Sequence, residues 1–165
     1  MNSVDNNITD WRKKNVYRDR KFEHLINMLV EDKDTSIFDY NKDLMVFAAT
    51  VGYNFNTRKP LPHNSADKIP ISLYTYANTE DDGFIYLLAL MEKRNASCLK
   101  DIHLQDSIKI FEEYCNGGLE IIDNWFKTPQ AIADLTKLET IQNRLLEQLD
   151  TNSLIDNDME IEVEF

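Results

Sequence analysis

This sequence predicts a mainly α fold: a compact helical domain of about five helices, with a short extended segment and a candidate C-terminal strand. Three observations predict it. Four glycines and four prolines in 165 residues are too few for a turn-rich all-β protein. Between Asp106 and Phe126, the residues Ile108, Phe111, Cys115, Gly118, Ile122 and Trp125 recur at alternating spacings of three and four, which is one face of a helix. A second run, 130–149, sets Ile132, Leu135, Leu138, Ile141, Leu145 and Leu149 on one broad stripe that should bury itself in the core.

The length fits one domain with tails: an arm over residues 1–15, a helical domain over 16–150 and an acidic tail over 151–165. An apolar fraction of 42% and a charged fraction of 28% allow a real core. No apolar run approaches the ~20 residues that span a bilayer, and the polar start MNSVDNNITD is unlike a signal peptide. Two cysteines, Cys98 and Cys115, are too few for a disulfide framework, so both are expected to be reduced, buried and structural in a cytoplasmic protein. The net charge of −11 is uneven: residues 1–60 hold 10 Lys/Arg against 9 Asp/Glu, and 61–165 hold 8 against 20. Such a surface disfavours indiscriminate binding to phosphate backbone, which rests on Lys and Arg replacing counterions.

The elements follow in order. Residues 11–23 interleave Arg12, Lys13, Lys14, Arg18, Arg20 and Lys21 with Trp11, Tyr17 and Phe22. That combination suits a surface that tracks phosphates and stacks bases, but Asp10, Asp19 and Glu23 dilute the charge and favour an exposed arm leading into a helix, with its aromatics docked on the core. Phe22, Leu25, Ile26, Leu29 and Val30 predict a first helix over 18–30. A second starts near Asn41 or Asp43, with Gly52 placed as its C-terminal stop. Residues 53–70 hold three of the four prolines and form the main loop, where Lys59 before Pro60 should be extended and displayed beside Arg58. Ile69 to Tyr76 alternate partially, as a short strand or extended segment would. Acidic residues 80–82 open a third helix ending near Lys93, whose run IYLLALM is apolar nearly all round and should be central. Thr128 and Pro129 signal the start of the Leu-rich helix. At the end Met159, Ile161, Val163 and Phe165 alternate with acidic residues, a pattern for a strand that pairs either within the chain or on a partner's sheet edge.

No phosphate loop, nucleophile elbow, His-Glu-x-x-His or CxxC is present, and His63 has no metal-ligand spacing around it. Neither a cofactor nor a metal is expected, and an enzyme is the least favoured class. Gly117 and Gly118, inside the 106–126 helix, cost roughly 1 kcal/mol each relative to alanine. Close approach of the Phe47-Ala48-Ala49 helix would compensate; the alternative is a break that exposes backbone to a partner.

Two stretches, read together, carry a family resemblance. The first is Phe47-Ala48-Ala49, Gly52-Tyr53, Arg58-Lys59-Pro60-Leu61 and Ile69-Pro70; the second is Phe111-Glu112-Glu113-Tyr114 with Asn116-Gly117-Gly118-Leu119. Over about residues 20–125 the chain resembles the small accessory proteins encoded beside bacterial DNA phosphorothioation (Dnd) genes. Cys115 stands where that pattern has alanine. The resemblance implies an antiphage or restriction setting and brings no catalytic residue. It points to a non-enzymatic accessory or regulatory role with other proteins of the defence system as partners. Glu112, Glu113, Asn116 and Gly117 are the candidate contact residues, with Met159, Ile161, Val163 and Phe165 of the tail. Two other classes stay open. One is a DNA-contacting module using Arg12, Lys13, Lys14, Arg18, Arg20, Lys21, Arg58 and Lys59. The other is an acidic DNA mimic built from the carboxylates of 61–165.

Overall fold

The computed structural model describes residues 11–127 and 135–158. The chain forms two compact units, Met1–Ile121 and Ile122–Phe165. In the first, a 3-10 turn Trp11–Lys13 leads into strand β1 (Asn15–Asp19), a 3-10 turn Arg20–Phe22 and helix α1 (Glu23–Ile26), which widens into a π-helical turn Asn27–Glu31. Helix α2 (Asn41–Asn54) follows, then a loop, strand β2 (Lys68–Ser72), α3 (Leu73–Ala77) and α4 (Asp82–Lys93). Helix α5 (Leu104–Lys127) starts in the first unit and runs into the second, where α6 (Lys137–Asp158) follows. The fold is mainly α, as the periodicities predict, with a two-stranded antiparallel sheet.

The sheet corrects the expected first helix: Arg18 and Asp19 are in a strand, and helix begins only at residue 20. β1 pairs with β2 from Asn15↔Ser72 to Asp19↔Lys68. Tyr17 stands opposite Pro70 at a position where the strand's N–H points away from β2, and it donates to Glu112 Oε1 at 2.7 Å. β1 is thereby tied to α5 through a side chain, a long-range bond that no local pattern announces. On the other side of the strand, Val16 is buried with Leu25, Leu44, Tyr76 and Phe111.

α2 and α5 cross at their glycines. A Cβ added at Gly118 would lie 1.7 Å from the carbonyl oxygen of Ala48, and one at Gly52 would lie 2.0 Å from that of Tyr114. Backbone therefore meets backbone, with Ala48 and Ala49 fully buried beside the crossing. Close packing is the outcome for Gly118. Gly52, expected as a helix stop, lies inside α2, which continues to Asn54; no glycine has a positive φ. Its small size, not its conformational freedom, is what the site uses.

α4 spans the residues expected of it, yet it is not enclosed. Ile85, Leu88 and Ala89 are buried, whereas Phe84, Leu87 and Met91 are 43%, 48% and 40% exposed. In the second unit, α6 starts at Lys137 rather than at 130. Thr136 Oγ1 accepts from Glu139 N at 3.2 Å, and the Glu139 carboxylate accepts from Thr136 N at 2.8 Å, a reciprocal cap of Thr-x-x-Glu type. Thr128 and Pro129 lie outside the described residues. The helix continues to Asp158, so residues 151–158 are helical rather than tail. Leu135, Leu138 and Leu149 are exposed, contrary to the expected burial of the stripe, although Ile141 is buried and Leu145 half-buried. The alternating residues Met159, Ile161, Val163 and Phe165 lie outside the described residues.

Candidate functional site

Hydrogen bonds of backbone amides and ion pairs of carboxylates fix where the loop after α2 goes. Thr57 N donates to Gly52 O, and Lys59 N donates to Glu113 O at 2.9 Å, so the chain lies along α5. Gly117 makes room for it, since a Cβ there would be 2.0 Å from Thr57 O. Asn116 Nδ2 donates to Pro60 O at 2.8 Å. Arg58 Nε donates to Glu113 Oε2 at 2.6 Å and Nη1 to Glu92 Oε1 at 2.7 Å, which joins the loop to α5 and α4 at once. Lys59 pairs with Glu120. Tyr114 adds its hydroxyl to Glu92 at 2.6 Å. That bond, seconded by the Arg58 charge, holds the Glu92 carboxyl below its ordinary range; burial and Glu92 push Tyr114 up to about 12. Glu112, Glu113, Asn116, Gly117, Arg58 and Lys59, the residues singled out from sequence, thus meet one another or the chain's own backbone.

The basic arm is divided among several partners. Arg18 is buried, its Nη1 2.7 Å from Glu23 Oε2. Lys14 Nζ donates to Gln105 Oε1 at 3.1 Å, and Arg20 Nε to Ala66 O at 2.9 Å. Lys21 lies 3.5 Å from Asp19 and 4.7 Å from the centroid of the Phe22 ring. Arg12 is in the 3-10 turn at the start, and Lys13 is exposed. The aromatics of the arm are also placed: Trp11 stacks on Tyr74 with centroids 6.5 Å apart.

A groove of about 360 Å³ opens between β1, the proline-rich loop and α5, lined by Tyr17, Pro62, His63, Lys68, Lys109 and Glu112. Glu112 is the chemically unusual member. Burial pushes its carboxyl up to about 7, against the opposing pull of the Tyr17 N–H and the Lys68 charge. Both cysteines are buried and unpaired, as expected, and burial pushes the Cys115 thiol up. Among the described residues, no cluster of three or more His, Cys, Asp or Glu is arranged to hold a metal ion. No described helix is long and apolar enough to cross a membrane.

The sequence reading missed the outer face of α4. Gly83, Phe84, Leu87 and Met91 are exposed, and no charged residue occurs from Gly83 to Met91. The signal was present: a helix apolar all round needs cover on every side. The tertiary structure covers one side only.

The described molecule is a mainly α protein whose glycine-clamped helix pair carries a fastened loop and a helix with an open apolar face. The chain belongs to the family of DNA sulphur modification system-associated protein 4, whose family model matches residues 15–158. The match extends past the stretch that carried the resemblance and takes in β1 and α6. No curated protein and no solved structure matches.

Proposed function

We propose that this chain is a non-enzymatic accessory or regulatory protein of a bacterial antiphage or restriction system linked to DNA phosphorothioation, working in the cytoplasm through protein–protein contacts. The observation that carries this reading is the open face of α4. Phe84, Leu87 and Met91 are exposed in a row on a helix that has no charged residue between Gly83 and Met91. Soluble proteins place polar side chains on the outer side of a helix, and contiguous exposed apolar surface marks a contact site. Family membership supplies the setting, a DNA sulphur modification system.

The test is co-expression of the full chain with the components of the DNA sulphur modification system from the same genome. Co-purification is expected, reduced at least about tenfold by Leu87→Lys, the size of effect a buried apolar anchor gives. A single cooperative thermal unfolding transition in the variant would show that the fold is intact. Absent co-purification, or co-purification indifferent to Leu87→Lys, would overturn the reading. DNA retention that falls steeply with salt and disappears on reversing Arg20 and Lys21 would replace it with a DNA-contacting module.

A further inference from the structure

We infer that the open face of α4 is covered by a second copy of this chain, with the two α4 helices packed antiparallel about a two-fold axis at Leu87. The inference rests on reading this face as a protein contact and names the partner; the components of the defence system are then met by the dimer, so that Leu87→Lys weakens their co-purification by separating the two copies.

The face is self-complementary about its centre. Glu80 and Arg94 flank the helix, and both are seven residues from Leu87. Gly83 and Met91 are each four residues away, and Phe84 and Leu90 three. An antiparallel pair related by a two-fold at Leu87 therefore sets Glu80 of one copy toward Arg94 of the other. It also sets Gly83 against Met91, Phe84 against Leu90, and Leu87 on itself. An isologous interface requires this kind of pairing, in which i meets j and j meets i. By the same two-fold Asp81 of one copy faces Lys93 of the other, while Asp82 falls toward Glu92, whose carboxylate is already held by Arg58 and Tyr114 of its own chain. The two helix dipoles oppose, which favours the same arrangement.

Two choices of residue have no explanation within one chain and are explained by the pair. Gly83 is the only glycine with nothing within 4 Å of an added Cβ. Its φ is not positive, so neither crowding nor backbone conformation calls for glycine there. Opposite a Met91 from the second copy, the missing side chain lets the helices approach. At the ends, Glu80 and Arg94 have φ of 63° and 50°, a left-handed conformation that glycine or asparagine adopts with less strain. A charged residue is held at each strained position, and these are the two that the two-fold brings together.

Sedimentation of the full chain at about 100 µM, where a contact of micromolar affinity is populated, is expected to give a dimer. Leu87→Lys is expected to be a folded monomer. Gly83→Ala separates contact from fold. In the monomeric Leu87→Lys background it should raise the unfolding temperature by about 3 °C through helix propensity. In the otherwise native chain it should weaken self-association at least about tenfold through the lost approach. The pairing of charges at the helix ends is tested by two charge variants. Glu80→Lys with Asp82→Lys makes both ends basic; Lys93→Glu with Arg94→Glu makes both ends acidic. Each should be monomeric alone, and an equimolar mixture should form a heterodimer. A monomeric wild type overturns the inference, as does a dimer that survives Leu87→Lys. A mixture that stays monomeric overturns the pairing of Glu80 with Arg94 across the two-fold. A monomeric wild type whose recovery of sulphur-modification components is lost in Leu87→Lys would assign the face to another protein, which leaves the accessory reading standing. A monomeric wild type that unfolds at a lower temperature in Leu87→Lys would assign the cover to the chain's own residues.

Discussion

Alanine at Gly118 and alanine at Gly83 are expected to have opposite effects on the fold, although both glycines sit in helices. A Cβ on Gly118 falls 1.7 Å from the backbone oxygen of Ala48, and no rotamer change can relieve it. α2 must move off α5, and Gly118→Ala should lose about 3 kcal/mol or more in urea denaturation. At Gly83 the added methyl meets nothing, and helix propensity alone should stabilise the monomer by about 1 kcal/mol. Glu112 gives a residue-scale prediction in pH. Its carboxyl is raised from the ordinary 4.5 to about 7, chiefly by burial. The folded chain therefore binds more protons at this site than the unfolded chain between those values. Stability should fall as pH rises through that window, by about 2–3 kcal/mol, and stay reduced above it. Glu112→Gln keeps an acceptor for the Tyr17 N–H without the charge. It should match the wild type near pH 5 and exceed it by a similar amount near pH 8. Equal stability of the two proteins at both pH values would refute the assignment.

At the scale of elements, the loop after α2 is held by bonds that are individually small. Asn116→Ala removes the donor to Pro60 O, and with it one fastening of the segment whose Lys59 N–H reaches Glu113 O. Amide exchange at Lys59 should speed up about tenfold, while the amides of Ala48 and Ala49 keep their protection. Local openings of this kind need not involve the glycine crossing. α6 depends on its reciprocal cap, and Thr136→Ala should cost about 1 kcal/mol, seen as faster exchange in the first turn from Lys137. Helices α2, α4 and α5 were legible because their periodicity runs for many residues without interruption. The sheet was not. β1 is five residues long, and its apolar spacing runs into that of the following turns, so one helix was expected where strand, 3-10 turn and π-helical turn occur. For α6 the pattern pointed to Thr128-Pro129, whereas the described helix starts at the Thr136-x-x-Glu139 box.

At the scale of the molecule, an antiparallel α4 pair makes unfolding depend on concentration. Raising the chain concentration tenfold should raise the midpoint of the wild type and leave that of Leu87→Lys unchanged, since only a species that binds the folded state shifts it. The acidity has a simpler place in this picture. Several of the carboxylates prominent in the sequence pair with the chain's own cations: Glu92 and Glu113 with Arg58, Glu120 with Lys59, Asp43 and Asp81 with Lys42. The cations expected to form a basic surface are partly consumed by the same pairs.

By itself the sequence determined the class of fold, the buried stripe of α5 and the buried cysteines, and it favoured the close approach at Gly118. Each of these follows from local periodicity or from residue size, which the order of residues states directly. Only the tertiary structure decided that Glu112, Asn116 and Arg58 turn to the chain's own backbone and carboxylates, and that Tyr17 gives its N–H to a helix. Only there does it emerge that an all-apolar helix is left open on one side. Those outcomes depend on which distant segments pack together: the outward N–H of Tyr17 meets Glu112 only because α5 lies beside β1, and the loop fills the groove that Gly117 leaves. A pattern of spacings says which face of a helix is apolar, but what covers that face is settled only when the rest of the chain has been placed.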